Sequence, residues 1–187
     1  DDCNANGLSD ACEVSMGLVQ DCNANGVPDS CELATPYAAS RNGTLATNGG
    51  TVYTTFAATP QATTDVTMRF EVNADINGGA DGIEFVLFTA GGQSQISLQI
   101  TGAQCGTEVR TITVPKAAYN SARSSNGDLV FAIKTGPNTD SFCANTWKID
   151  IGYNRGEPDC NGNGILDSCE LRDGTAVDQN GNGVPDS

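Results

Sequence analysis

The chain has 187 residues, 23 of them acidic, 9 basic and none histidine, for a formal net charge of −14. That balance excludes the basic clusters by which proteins hold nucleic acid or anionic membranes, and no apolar run is long enough for insertion into a bilayer. Eight cysteines in a Gly-rich chain indicate disulfides formed outside the cytoplasm, and the lack of histidine removes the commonest general base.

The charge is concentrated at the ends. Residues 1–33 carry seven acids and no base, and residues 157–187 carry seven acids against Arg172 alone. Residues 34–156 are close to neutral, with nine acids and eight bases. Three segments follow: an acidic double-loop module at 1–33, a globular domain at 34–156 and a second acidic double-loop module at 157–187.

In chain order, Asp2-Cys-Asn-Ala-Asn-Gly-Leu-Ser-Asp-Ala-Cys-Glu13 is followed by its near copy Asp21-Cys-Asn-Ala-Asn-Gly-Val-Pro-Asp-Ser-Cys-Glu32. The globular segment then reads as all-β. Apolar residues alternate at period two over 66–72, 83–87, 96–100, 129–133 and 147–151, and further strands are expected at 51–57 and 108–114. Asn48-Gly-Gly50, Asn77-Gly-Gly79, Gly91-Gly92, Asn126-Gly127 and Gly136-Pro137 punctuate them as turns. A short helix is expected at 116–122, after Pro115. Many strands without helical crossovers give a mainly β fold, an antiparallel jelly-roll-like β-sandwich. A third loop, Asp159-Cys-Asn-Gly-Asn-Gly-Ile-Leu-Asp-Ser-Cys-Glu170, follows, and a fourth, Asp178-Gln-Asn-Gly-Asn-Gly-Val-Pro-Asp-Ser187, stops two residues short of the pattern. Within each pair the loop starts lie 19 residues apart.

The spacing is that of a Ca²⁺ site. A twelve-residue loop supplies oxygens from positions 1, 3, 5, 7 (backbone), 9 and 12, with Gly at 6 for the sharp turn. The expected ligands are Asp2, Asn4, Asn6, Leu8, Asp10 and Glu13 in the first loop, and Asp21, Asn23, Asn25, Val27, Asp29 and Glu32 in the second. The third offers Asp159, Asn161, Asn163, Ile165, Asp167 and Glu170, and the fourth Asp178, Asn180, Asn182, Val184 and Asp186. Zinc would want thiolates or imidazoles and magnesium a tighter octahedron, so calcium is the expected cofactor. Asn at positions 3 and 5 leaves three carboxylates per site, which places affinity at roughly 10⁻⁵ to 10⁻³ M, suited to extracellular calcium.

Only seven residues, such as 14–20, separate consecutive loops, too few for the paired helices of an EF-hand. The pattern D-x-N-x-N-G-V-P-D instead resembles thrombospondin type 3 repeats and, more loosely, bacterial dockerin loops. The resemblance covers 2–32 and 159–187 and implies calcium ions wrapped by irregular backbone in an extracellular protein. It departs from those repeats in having Asn for Asp and Cys at position 11. Between the loops, T-I-T-V-P-K-A-A-Y-N at 111–120 and the closing W-K-I-D-I-G-Y resemble sandwich domains that accompany such repeats in bacterial surface proteins.

Each complete loop carries cysteines at positions 2 and 11. The simplest pairing is Cys160–Cys169, with Cys3–Cys12 and Cys22–Cys31 by analogy and Cys105–Cys143 in the sandwich; nested or crossed pairing within 1–33 stays open. Zinc held by the four N-terminal thiolates is disfavoured by their nine-residue spacing. No enzyme is expected: Glu71, Glu84 and Glu108 lack companion motifs, and Glu71 and Glu84 fall opposite the apolar stripe. The expected role is a calcium-stabilised filament, matrix or surface-layer component that self-associates head to tail, a neighbour or a continuing chain completing the fourth loop. The alternative is a carbohydrate-binding or adhesive module of a larger secreted protein. For that, Tyr53, Tyr119 and Tyr153 are the candidate platform, since Trp147 shares the core parity of Ile149 and Ile151.

Overall fold

The computed structural model describes residues 2–77, 81–89, 91–179, 181 and 185–186. The expected ligands Asn180, Asn182 and Val184 lie outside the described residues. The elements in order are α1 (Asp10–Ser15), α2 (Asp29–Glu32), β1 (Thr35–Thr44), β2 (Thr51–Phe56), β3 (Val66–Asn73) and β4 (Ile83–Phe88). They continue with β5 (Ser94–Ile100), β6 (Thr107–Val114), α3 (Lys116–Ala122), β7 (Leu129–Lys134), β8 (Thr146–Arg155) and α4 (Asp167–Asp173).

The strands form two four-stranded sheets, ordered β1-β8-β3-β6 and β2-β7-β4-β5. Every register resolved between paired strands is antiparallel, as in Phe70 opposite Ile149 and Phe85 opposite Ile133. The period-two pattern does its expected work. On β3, Val66, Met68, Phe70 and Val72 are buried while the residues between them are not, and β8 buries Trp147, Ile149, Ile151 and Tyr153 in the same way. Such alternation buries one face of a sheet and wets the other. Between the sheets, Phe70 meets Phe85 at 4.9 Å and Phe131 at 6.2 Å between ring centroids, and Phe56 meets Phe131 at 5.8 Å.

β1 is the strand that periodicity did not reveal. Its sequence, TPYAASRNGT, lacks an apolar stripe, and most of it is exposed. It occupies a sheet edge, where one face and one side need no packing. Gly43 is required there: a Cβ would sit 2.9 Å from the Trp147 ring, whose Nε1 donates to Thr44 O. Helix α3 covers the expected residues. Pro115 precedes it, and Lys116 N–H is satisfied by Asp65 Oδ1 at 3.0 Å.

The acids of the sandwich strands are paired on the wet faces. Glu71 binds Arg69 at 2.6 Å, Glu84 binds Lys134 at 3.1 Å and Ser97, and Glu108 binds Arg110 at 3.3 Å. Tyr119 and Tyr153 are core residues rather than a platform. Tyr119 OH donates to Tyr153 OH, which donates to Pro60 O, and burial raises the pKa of both phenols. Of the three candidate tyrosines only Tyr53 is exposed.

The chain divides into two compact units, residues 36–153 and a second built from residues 1–35 together with 154–187. The two end segments, 1–33 and 157–187, thus fall within one compact unit. The reason is β1 beside β8: Leu45 N–H donates to Asn145 O at one end of the pair, and Arg155 Nε donates to Thr35 Oγ1 at the other. The polypeptide enters and leaves the sandwich side by side, so Leu33 bridges Glu157 and Glu157 N–H donates to Glu32 O.

Because Phe70 is fully buried and touches both other rings, Phe70→Ala should cost about 3–5 kcal/mol in denaturant unfolding. A loss below about 1 kcal/mol would mean that the inter-sheet core is not closed around this ring.

Candidate metal centre

The three complete loops fold alike, and the sequence dictates how. Position 1 ties down the turn: Gly7 N–H donates to Asp2 Oδ2, Gly26 N–H to Asp21 Oδ2 and Gly164 N–H to Asp159 Oδ2, at 2.9, 2.9 and 2.8 Å. Glycine is needed at position 6 because φ is +90°, +85° and +85° there. The Asn at position 3 accepts from position 5, and the Asn at position 5 accepts from position 7, with Leu8, Val27 and Ile165 N–H at 2.8 Å in each loop. These side-chain turns leave the position-1, position-3 and position-5 groups gathered on one side of the backbone.

The glutamate at position 12 closes the ring. Glu13 Oε1 receives Asn6 Nδ2 at 2.6 Å and Glu13 Oε2 receives Asn4 Nδ2 at 3.2 Å. Glu32 receives Asn25 and Asn23, and Glu170 receives Asn163 and Asn161, in the same way. Each Glu is delivered by a short helix that begins at position 9, namely α1, α2 and α4. The loops are therefore less irregular than the sequence reading held. One turn of helix fits where a paired EF-hand helix does not, and Pro28 at position 8 caps α2 where an N–H has no intrahelical acceptor anyway.

Position 9 behaves differently from the other ligand positions. Asp10, Asp29 and Asp167 each accept the main-chain N–H of the position-2 cysteine at 2.9 Å. In the fourth loop Asp186 accepts Gln179 N–H, and Gly181 N–H donates to Asp178 Oδ1 as Gly162 does to Asp159. So one oxygen of each position-9 carboxylate holds the loop, and Oδ2 of Asp29 and of Asp167 is buried without a hydrogen-bond partner.

The cysteines correct the expected pairing. Cys3 is bonded to Cys31 and Cys22 to Cys169, with Cα atoms 5.9 and 5.8 Å apart, while Cys12 and Cys160 are free and exposed. Cys105 is bonded to Cys143 in the sandwich. None of the three expected within-loop bonds forms. Position 2 of a loop instead reaches position 11 of the next, because position 2 leans on its own Asp at position 9 while position 11 lies on the helix beyond. Cys160 keeps the position-2 setting, and its hydrogen bond with Asp167 raises the thiol pKa.

Electrostatically the unit is poorly compensated, Arg172 being paired with Asp173 and attracted to Asp29 without an ion-pair contact. Glu13 and Glu170 are 3% and 6% exposed, and Asp10, Asp29 and Asp167 are buried with them. Among the described residues no salt bridge reaches any of these five carboxylates. A buried carboxylate without a counter-charge is costly. The donor set is oxygen throughout, and four of the six loop cysteines are locked in disulfides. An amide oxygen has two lone pairs, so the Asn side chains can serve both the turn and an ion. The residues present thus fit a hard divalent cation better than zinc.

No protein-family model matches the chain, and no curated protein does. Among solved structures, the chain is similar to one described as showing that Bacillus endospore appendages form a family of disulfide-linked pili. That match has 13% identity over 66% of this chain and 90% of the other, with a TM-score of 0.34. A CBM4 structure matches at 11% identity over 63% and 71%, with a TM-score of 0.36. A structure of infectious bursal disease virus, Gx strain, matches at 12% identity over 71% and 34%, with a TM-score of 0.38. Likeness at this level carries no conclusion about this chain.

Position 4 carries a signal the sequence reading passed over. It is left-handed in all four loops, with φ near +55° at Ala5 and Ala24 and +70° at Gly162 and Gly181. Alanine there costs about 1 kcal/mol relative to glycine. Ala24→Gly should therefore stabilise the second loop and Gly162→Ala destabilise the third, by about 1 kcal/mol each. Local hydrogen exchange of the two loops checks this, and equal protection in wild type and both variants would refute it.

Proposed function

We propose that this chain is an extracellular calcium-binding structural protein, a subunit of a calcium-stabilised filament, matrix or surface layer. The observation that carries the reading is the position-12 glutamates, of which Glu13 and Glu170 are buried: each accepts from two neutral amides, and among the described residues no salt bridge reaches them. Calcium would supply the missing positive charge at that point. Asp at position 1, Asn at 3 and 5 and Glu at 12 would hold it, and Oδ2 of Asp29 and Asp167 remain available on the position-9 side. Three disulfides support an oxidising location, where calcium is abundant enough for sites of this charge. Among the described residues no helix is long and apolar enough to cross a membrane. A carbohydrate platform has less support, since Tyr119 and Tyr153 lie in the core. The role proposed is structural rather than enzymatic.

Calorimetric titration of the calcium-free protein should show one equivalent for each complete loop, with midpoints of roughly 10⁻⁵ to 10⁻³ M, and Asp159→Ala should remove one. Chelation should strip hydrogen-exchange protection from residues 1–33 and 157–187 while β3 keeps it. Absence of uptake, with the protease resistance of those segments unchanged by chelator, would remove the basis of the proposal.

Self-association follows from the same charge. Thirteen of the fourteen net negative charges lie in residues 1–33 and 157–187, and like charges oppose close approach of copies until cations offset them. Head-to-tail contacts that do not close give filaments. Light scattering during a calcium titration should therefore report growth in particle mass that reverses on chelation. A species that stays monomeric at millimolar calcium would leave a single adhesive module as the better account.

A further inference from the structure

A second set of oxygens lies in the sandwich, apart from the four loops. The segment joining β3 to β4 carries Asp75 and Asp81, and the segment joining β7 to β8 carries Asp140 and Asn145. The two segments are fastened to each other. Thr139, fully buried, donates from Oγ1 to Asp81 O at 3.0 Å, and Asn145 Nδ2 donates to Asp140 O at 2.5 Å. The ladder pairing Asn73 with Thr146 places Asn145 at the same sheet end as Ala74 and Asp75. Cys105–Cys143 clamps that end, where Cys105 N–H donates to Ala74 O.

Three oxygens in this place have no hydrogen-bond partner: Asp75 Oδ1, Asp81 Oδ1 and Asn145 Oδ1. Asp75 and Asn145 are each only 8% exposed. The Asn145 amide cannot turn over to relieve its oxygen, because its Nδ2 is committed to a carbonyl and reversal would set two acceptors face to face. Burial, then Asp140, then Asp81 all push the Asp75 carboxyl above the usual carboxylate range. No salt bridge among the described residues reaches Asp75, Asp81 or Asp140. Buried water could satisfy lone pairs here, but it would leave three like charges uncompensated.

We propose that Asp75, Asp81, Asp140 and Asn145 form a binding site for a hard divalent cation. Four side chains offering only oxygen suit the larger and less exacting coordination of calcium over magnesium. Asp140 is the exposed member, and its Oδ1 accepts Phe142 N–H at 2.8 Å. The consequence of the ion is local: it fixes these four residues at one end of the sheets, next to the Cys105–Cys143 bond. The site stands independently of the terminal loops.

Trp147 provides a readout that the loops cannot mimic, being the only tryptophan, 4% exposed and two residues from Asn145. The full chain is titrated with calcium and followed by Trp147 fluorescence, by total stoichiometry and by amide protection at 74–77, 81–82 and 139–145. Wild type should show a saturable change in Trp147 emission with protection of those amides. Asp75→Asn and Asp140→Asn should each weaken that response by about tenfold or more and lower the stoichiometry by one. Asp159→Ala should leave it intact. Both Asn variants remove like-charge repulsion, and Asp140 is exposed, so neither threatens the fold. No Trp147 response at millimolar calcium, or unchanged stoichiometry in both variants, would overturn the proposal. Failure of the loops to bind, with the Trp147 response preserved, would overturn the loop reading alone.

Discussion

The seating of β1 along β8 governs what the rest of the chain can do. β1 brings little apolar surface to the sandwich, yet its place at the sheet edge returns the N-terminal segment to the point where the C-terminal segment departs. Glu157 N–H on Glu32 O and the Leu33–Glu157 bridge then become possible, and so does the bond from Cys22 to Cys169 across a sequence separation of 147. Joining ends so distant in sequence is entropically expensive in an unfolded chain. Here the folded sandwich has already done most of the closing. Strand pairing in the middle is thus the precondition for assembly of the ends.

The two units are held by different physics. Residues 36–153 bury a continuous apolar cluster around four phenylalanines, and Glu71 and Glu84 on the wet faces of their strands are paired with arginine or lysine. The unit from 1–35 and 154–187 has almost no such core. Among the described residues its buried apolar side chains are Pro28, Leu166 and Cys169, in a unit that also buries five carboxylates. Small segments of this composition need cross-links or metal in place of hydrophobic area. Reduction of disulfides therefore acts on this unit first, while heat and denaturant act on the sandwich through its aromatic core.

Much of this was legible in the residues. Alternation located β2 to β8, Pro115 located α3, and the Asp/Asn/Gly spacing located loops whose side chains do converge on the position-12 glutamate. β1 escaped because an edge strand of Thr, Ala, Ser and Arg has no stripe to find. The disulfides escaped because pairing the nearest cysteines treats each loop as closed on itself. Whether position 2 points toward its own position 11 depends on where Asp10, Asp29 and Asp167 anchor the backbone, which spacing does not encode. The oxygens of Asp75, Asp81 and Asn145 escaped for a related reason: they lie far apart in sequence, and only the fold brings Asp81 against Thr139 in the segment before β8.

The register of the two loop disulfides has a bearing on modularity. Cys3–Cys31 and Cys22–Cys169 obey one rule, although the first spans a connector of a few residues and the second spans the entire sandwich. To the ladder of loops, the sandwich is a long insertion in a connector, tolerated because its two ends emerge together. Any domain with adjacent termini could stand in its place without re-pairing a single cysteine. A scaffold with that property is indifferent to its cargo, and grafting a foreign domain between residues 33 and 157 is a route to displaying it.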